Sequence, residues 1–229
     1  DAPEFVALLK CHTSRVSGLF ATLDVEPDTS MPETACVLDE TASQDAVEEA
    51  LDRLGFRRAK DSAALLMRLR QKPTSPFSAR SQDASARLGP LLVAELSRSP
   101  DPDQGLEFVA ELTARRGAGA GIWRLLDQNR PLLRTIVSLF GTSHFLARHF
   151  INHPELVDAL LLAGHQRPAH TAMDLAAALA ERLARIDSDD EETAWNVIRR
   201  FRNEELLRVG LADIAGELDE SQVGEHLSD

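Results

Sequence analysis

The chain has 229 residues, enough for one large domain or two small ones, and its 43% hydrophobic content separates it from disordered chains. A formal charge of −12, with arginines scattered among acids, excludes the basic surface that nucleic-acid binding needs. No apolar run reaches the roughly 20 residues of a membrane span, and two distant cysteines, Cys11 and Cys36, exclude a disulfide scaffold or zinc ribbon and suit a reducing cytoplasm.

Tyr is absent and Trp occurs twice. Ala, Leu, Arg and Glu are abundant, and they favour helix because unbranched side chains lose little rotamer freedom there. No stretch alternates with the period of a strand, and no solenoid period repeats. The expected fold is all-α, a bundle of about ten to twelve helices with no sheet.

The chain opens on Asp1-Ala2-Pro3-Glu4, with no initiator Met and no secretory signal, as expected of a piece of a longer protein. A first helix is predicted over Pro3 to Phe20, with Phe5, Leu8, Leu9, Val16, Leu19 and Phe20 at helical spacing. From Asp24 to Thr41 two prolines, Pro27 and Pro32, lie among acids and hydroxyls without periodicity, which predicts a linker. Ser43 is the predicted N-cap of a helix through Val47 and Leu51 that stops at Gly55. A further helix over Asp61 to Gln71 carries Leu65, Leu66 and Leu69 and ends at Lys72-Pro73. The segment Ser81 to Ser97 is expected to be kinked or divided at Gly89-Pro90.

After Ser99-Pro100-Asp101-Pro102 a helix holds Leu106, Phe108, Val109 and Leu112, then Arg115 and Arg116 near its negative dipole end. Gly117-Ala118-Gly119-Ala120-Gly121 follows a helix rather than a strand, so it reads as a helix–helix turn and not a phosphate cradle. Short helices are predicted over Ile122 to Asp127 and Pro131 to Phe140, the second starting on proline. Gly141 is expected to break the chain and Ser143 to cap a helix over His144 to Ile151. Asn152-His153-Pro154 repeats this device for a helix over Glu155 to Leu162. The segment Ala172 to Ile186 places Leu175, Leu179, Leu183 and Ile186 on one face. The expected domain bounds are 1–22 for the opening helix, 23–43 for the linker and 44–229 for one helical domain.

The last long helix is predicted to start with a capping box, Ser188-Asp189-Asp190-Glu191, and to run to about Leu218. Trp195, Ile198, Leu206 and Val209 form one apolar stripe; Leu207, Leu211, Ile214 and Leu218 form another. Two stripes predict burial on two sides, with a partner beyond the local bundle. Arg200, Glu204 and Arg208 fall at i, i+4 and i+8, so Glu204 can pair with both arginines and orient the helix. The residues picked for a domain interface or its support are Trp195, Arg200, Phe201, Arg202, Glu204, Arg208 and Asp213.

No catalytic, cofactor-binding or metal-ligating residue is assigned. His149 and His153 have the i, i+4 spacing of a zinc pair, but no acidic third ligand follows at the required spacing. Asp187, Asp189, Asp190, Glu191 and Glu192 lie where a helix dipole favours acids without any Mg²⁺. No Gly-Ser turn followed by paired aspartates, which two-metal nucleotidyl transfer needs, occurs in the chain.

Three stretches taken together resemble the glutamine synthetase adenylyltransferase (glutamate–ammonia-ligase adenylyltransferase) family. Leu54-Gly55-Phe56 leads to Leu139-Phe140-Gly141-Thr142-Ser143-His144-Phe145-Leu146-Ala147-Arg148. His153-Pro154-Glu155-Leu156-Val157-Asp158-Ala159-Leu160-Leu161 follows. Ile198-Arg199-Arg200-Phe201-Arg202-Asn203-Glu204-Glu205-Leu206-Leu207-Arg208-Val209, then Ala212-Asp213-Ile214-Ala215-Gly216, is the most specific. Order and spacing agree over about residues 50 to 229.

The resemblance implies a bifunctional parent with two similar halves, each a helical segment followed by a nucleotidyltransferase core. One half adds AMP to a tyrosine of glutamine synthetase and the other removes it, with ATP and Mg²⁺ expected for the parent and a PII-type signalling protein as its regulator. His12 to Phe20 resembles the tail helix of the first half, so the chain is expected to join the linker to the helical part of the AMP-adding half. By that reading it is a non-catalytic scaffold beside an adjacent core that lies downstream. The alternative is a free-standing helical regulatory or protein-interaction module.

Overall fold

The computed structural model describes residues 29, 31–81, 87–115, 119–153, 156–157, 172–186 and 190–214. Among them stand ten α-helices and no strand, the all-α architecture that composition and periodicity imply. The predicted opening helix lies outside the described residues, as does nearly all of the one predicted over Glu155 to Leu162. No helix among the described residues is long and apolar enough to cross a membrane. The chain forms two compact units, one of Thr22–Asn152 and one that contains His153–Asp229.

The first unit holds α1 (Pro32–Leu38), α2 (Gln44–Arg53), α3 (Ala59–Arg70), α4 (Leu88–Ser97), α5 (Pro102–Ala114), α6 (Gly119–Gln128), α7 (Arg130–Thr142) and α8 (His144–Asn152). Helix α5 packs on α3, α4, α6, α7 and α8, so it runs through the middle of the unit. Its Leu106, Phe108, Val109 and Leu112 are buried, as the pattern predicts. Phe108 meets Phe140 of α7 at 5.7 Å between centroids, and Phe140 meets Phe150 of α8 edge-on at 6.0 Å. Trp123, Phe140 and Phe150 are fully buried. Burying an aromatic side chain of this kind contributes about 1.5–3 kcal/mol.

Local chemistry explains where these helices begin and end. Ser43, Asp101, Asn129 and Ser143 each accept a hydrogen bond from an amide three residues on, at 3.3, 2.9, 3.1 and 3.3 Å. Each satisfies an amide that the first turn leaves without a partner. Helix α2 closes at Gly55, whose φ is +91°. There the Phe56 amide donates to the Leu51 carbonyl and the Gly55 amide to the Asp52 carbonyl, both at 3.0 Å, a closure that needs a left-handed residue.

Two helix ends are instead satisfied from elsewhere in the unit. Helix α3 has no cap of its own; Asp103, 1% exposed in the first turn of α5, accepts from the Arg57 and Arg58 amides at 2.8 and 3.2 Å and from the Ser62 hydroxyl at 2.6 Å. At the other end of α3 the buried Arg70 donates to the carbonyls of Asp39 (2.8 Å), Cys36 (3.3 Å) and Val37, closing the C-terminus of α1. Burial drives the Arg70 guanidinium below its usual value, opposed by Asp39.

Several local expectations give way to tertiary structure. Residues 32–38 lie inside the stretch read as linker, yet they form α1, with Pro32 in the first turn and Val37 wholly buried. The periodicity was too short to register, and the long-range Arg70 contacts supply what the segment lacks. At Gly89-Pro90 helix α4 begins at Leu88 and runs through Pro90 unbroken, so Pro90 sits in the first turn, where its missing amide has no intrahelical partner anyway; residues 82–86 of the expected segment lie outside the described residues. Gly141 does not break the chain but lies inside α7. A Cβ there would stand 2.6 Å from Ser99 Cβ, and its carbonyl accepts the Asp101 amide at 3.1 Å. Gly119 to Gly121 belong to α6 rather than to a turn; residues 116–118 lie outside the described residues.

The second unit holds α9 (Ala172–Leu183) and α10 (Glu191–Ile214), which pack on each other. Helix α10 starts two residues later than the capping box predicts. Asp190 is the cap, accepting from the Thr193 amide at 3.0 Å, while Ser188 lies outside the described residues. The Thr193 hydroxyl, then its amide, hold the Asp190 carboxyl below the ordinary aspartate range.

Candidate functional site

Helix α10 carries the residues picked from sequence, and its burial pattern sorts them. Its buried positions are Phe201, Asn203, Glu204, Leu207, Val209, Ala212 and Ile214. An ionisable group among them requires partners, because a desolvated carboxylate without them costs several kcal/mol, roughly. Glu204 is 8% exposed. Its Oε1 accepts from Arg200 Nε at 2.9 Å, one turn back, and its Oε2 from Arg182 Nη1 of α9 at 2.7 Å. The Arg182 guanidinium also lies over the Phe201 ring, 4.8 Å from its centroid. Beside this cluster Asn203 Nδ2 stands 3.3 Å from His153 Nδ1.

The structure therefore brings together three of the predicted residues, Arg200, Phe201 and Glu204. It corrects the expected ladder at its far end: Arg208 pairs with Glu205, at 2.8 and 3.1 Å, rather than with Glu204. The second arginine on Glu204 is Arg182, which the sequence reading did not pick. No spacing within α10 can reveal it, since it comes from another helix. Trp195 is 58% exposed, so the stripe it was expected to lead is not buried at that end, and Arg202 is likewise exposed. Asp213 stands near the end of the described helix, and desolvation pushes its carboxyl above the ordinary range.

The three histidines near the motif serve different neighbours. His144 lies 5.2 Å from the Phe108 ring, His149 stacks on Phe145 at 6.3 Å, and His153 meets Asn203. Among the described residues no three His, Cys, Asp or Glu side chains are grouped to hold a metal ion. In the first unit Glu40, Met67, Arg70, Gln71 and Arg80 line a cleft of about 230 Å³, but Arg70 is already committed to three carbonyls. Chemically, the Arg182–Glu204–Arg200 cluster clamps one helix to another and fixes the angle at which α10 presents its outer face.

Comparison with known proteins agrees with the motifs carried by this helix. Residues 133–229 match the family model described as glutamate-ammonia ligase adenylyltransferase. The whole chain is 30% identical to a bifunctional glutamine synthetase adenylyltransferase/adenylyl-removing enzyme of Pseudomonas syringae pv. tomato, covering 25% of that protein. Proteins of the same description from Pseudomonas putida and Nitrosococcus oceani are 27% and 28% identical, again over the whole chain and 24% of the relative. No solved structure matches. The chain thus spans about a quarter of the length of these relatives. The order of the Leu139–Arg148, His153–Leu161 and Ile198–Val209 motifs, the family-model match across them and the similarity along the entire chain together make it a segment belonging to the glutamate-ammonia ligase adenylyltransferase family.

Proposed function

We propose that this chain is a non-catalytic helical scaffold of a bifunctional enzyme that adds AMP to, and removes it from, a tyrosine of glutamine synthetase. ATP and Mg²⁺ are then handled by an adjacent nucleotidyltransferase core of the same polypeptide. A PII-type signalling protein regulates that enzyme, and the cytoplasm is where it works. The observation that carries this reading is the similarity running through the whole chain to about a quarter of relatives bearing that description. The clamp on Glu204 suits the role, because a carboxylate held by arginines from two helices resists rotation of α10 more than apolar contact alone does.

The test compares two purified proteins, the full-length polypeptide containing this segment and the 229-residue chain alone. AMP transfer from ATP to glutamine synthetase is expected from the first and not from the second. Transfer by the isolated chain would overturn the scaffold role, and no transfer by the full-length protein would overturn the parent activity.

A further inference from the structure

Arg70 caps α1 through neutral groups alone. It is 5% exposed. Its Nη1 donates to the Asp39 carbonyl and the Met67 sulfur, its Nη2 to the carbonyls of Cys36 and Val37, and its Nε has no partner. None of these acceptors carries a charge, and Arg70 forms no ion pair among the described residues. The Asp39 carboxylate is turned away from it: Oδ1 accepts from the Thr41 amide at 2.9 Å and the Thr41 hydroxyl at 2.7 Å. A desolvated guanidinium without a counter-charge is costly. Arg70 lines the cleft of about 230 Å³ together with Glu40, Met67, Gln71 and Arg80. Arg80 is exposed and likewise has no ion pair among the described residues. Two guanidinium groups thus converge on one cleft, with Glu40 as the only acid in its lining.

We propose that this cleft binds a small oxyanion, a phosphate or a carboxylate. Guanidinium forks match both groups bidentately. The exposed Arg80 and the Gln71 amide offer the donors that water can reach, and the buried Arg70 supplies charge from a low-dielectric setting. At about 30 Å³ for each water-sized group, the cleft holds roughly eight such groups, which suits an ion of four or five heavy atoms and is too small for a nucleotide. Glu40 opposes the two arginines, so one positive charge remains and binding is weak. Glu40 follows α1, Arg70 and Gln71 end α3, and Arg80 lies in the loop beyond it. A bound oxyanion therefore ties residues 36–42 to residues 66–81 by offsetting the charge of Arg70. The inference stands apart from the functional reading above.

The experiment follows amide hydrogen exchange by mass spectrometry in the full-length polypeptide that contains this segment, titrated with phosphate, acetate or chloride at equal ionic strength. Phosphate or acetate is expected to slow exchange in residues 36–42 and 66–81, half-maximally at roughly millimolar concentration. Chloride should not. Arg80→Gln is expected to raise the half-maximal concentration about tenfold, and Glu40→Gln to lower it severalfold. Both substitutions lie on exposed side chains, and unchanged exchange in residues 102–114 shows that the variants are folded. Protection by both oxyanions, or by one of them alone, supports the site and in the second case names its ligand as phosphate or carboxylate. Protection by chloride to the same degree would reduce the effect to charge screening and overturn the site. So would protection that Arg80→Gln leaves intact, or no protection in these two segments.

Discussion

Arg182 of α9 donates to Glu204 of α10 at 2.7 Å across 22 residues of sequence, and this bond joins the two helices of the second unit. Removing Arg182 leaves a nearly buried carboxylate with one remaining partner and uncovers the Phe201 ring. Arg182→Ala is expected to cost about 2–3 kcal/mol, less than a fully buried pair because the Arg182 side chain is 38% exposed. Arg200→Ala removes a within-helix pair whose arginine is half exposed and should cost about 0.5 kcal/mol. Urea denaturation of the two variants checks the ranking; equal losses would show that the inter-helix bond has no special weight.

Asp103 caps a helix to which it does not belong. Asp103→Ala strips acceptors from two amides and the Ser62 hydroxyl in a site closed to water. A loss of about 2–4 kcal/mol is expected, with Asp103→Asn intermediate because its amide still offers one acceptor oxygen. Thermal unfolding measures it. A shift no larger than that of an exposed substitution would mean that α3 does not depend on this cap.

Three glycines separate the reasons a glycine is needed. Gly141→Ala would drive a Cβ into Ser99 at 2.6 Å and should destabilise by about 1–3 kcal/mol. Gly55→Ala meets nothing within 4 Å but must hold φ at +91°, at a cost of about 1–2 kcal/mol. Gly121→Ala, in open space at the start of α6, should stabilise by about 0.5 kcal/mol. A Gly141→Ala variant whose denaturation midpoint is no lower than that of Gly121→Ala would contradict the assignment of Gly141 to a close approach.

The cap of α10 is predicted to be acid-sensitive. The carboxyl of Asp190 is held below its ordinary value, first by the Thr193 hydroxyl and then by the Thr193 amide. A folded-state value below the unfolded one means that the cap stabilises the helix above the unfolded aspartate value, about 3.9. That contribution fades as the pH falls through the lowered folded value. Asp190→Asn retains an acceptor and removes this dependence. A carboxyl titration followed by NMR, showing Asp190 at the ordinary aspartate value, would count against the bond to Thr193.

The lack of strand periodicity, the abundance of unbranched helix formers and the caps Ser43 and Ser143 were legible from the chain because each depends on residues within one turn of each other. The ordered motifs from Leu139 to Val209 likewise sufficed to identify the family. Tertiary structure alone decided that residues 32–38 are a helix, that Gly141 is a contact point inside α7, and that Glu204 takes Arg182 in place of Arg208. In each of these cases the deciding group, Arg70, Ser99 or Arg182, arrives from a distant part of the sequence. Periodicity and capping describe a helix one turn at a time. Which buried carbonyl or carboxylate meets which guanidinium is set by the angle at which two helices cross, and that angle is a property of the packed chain.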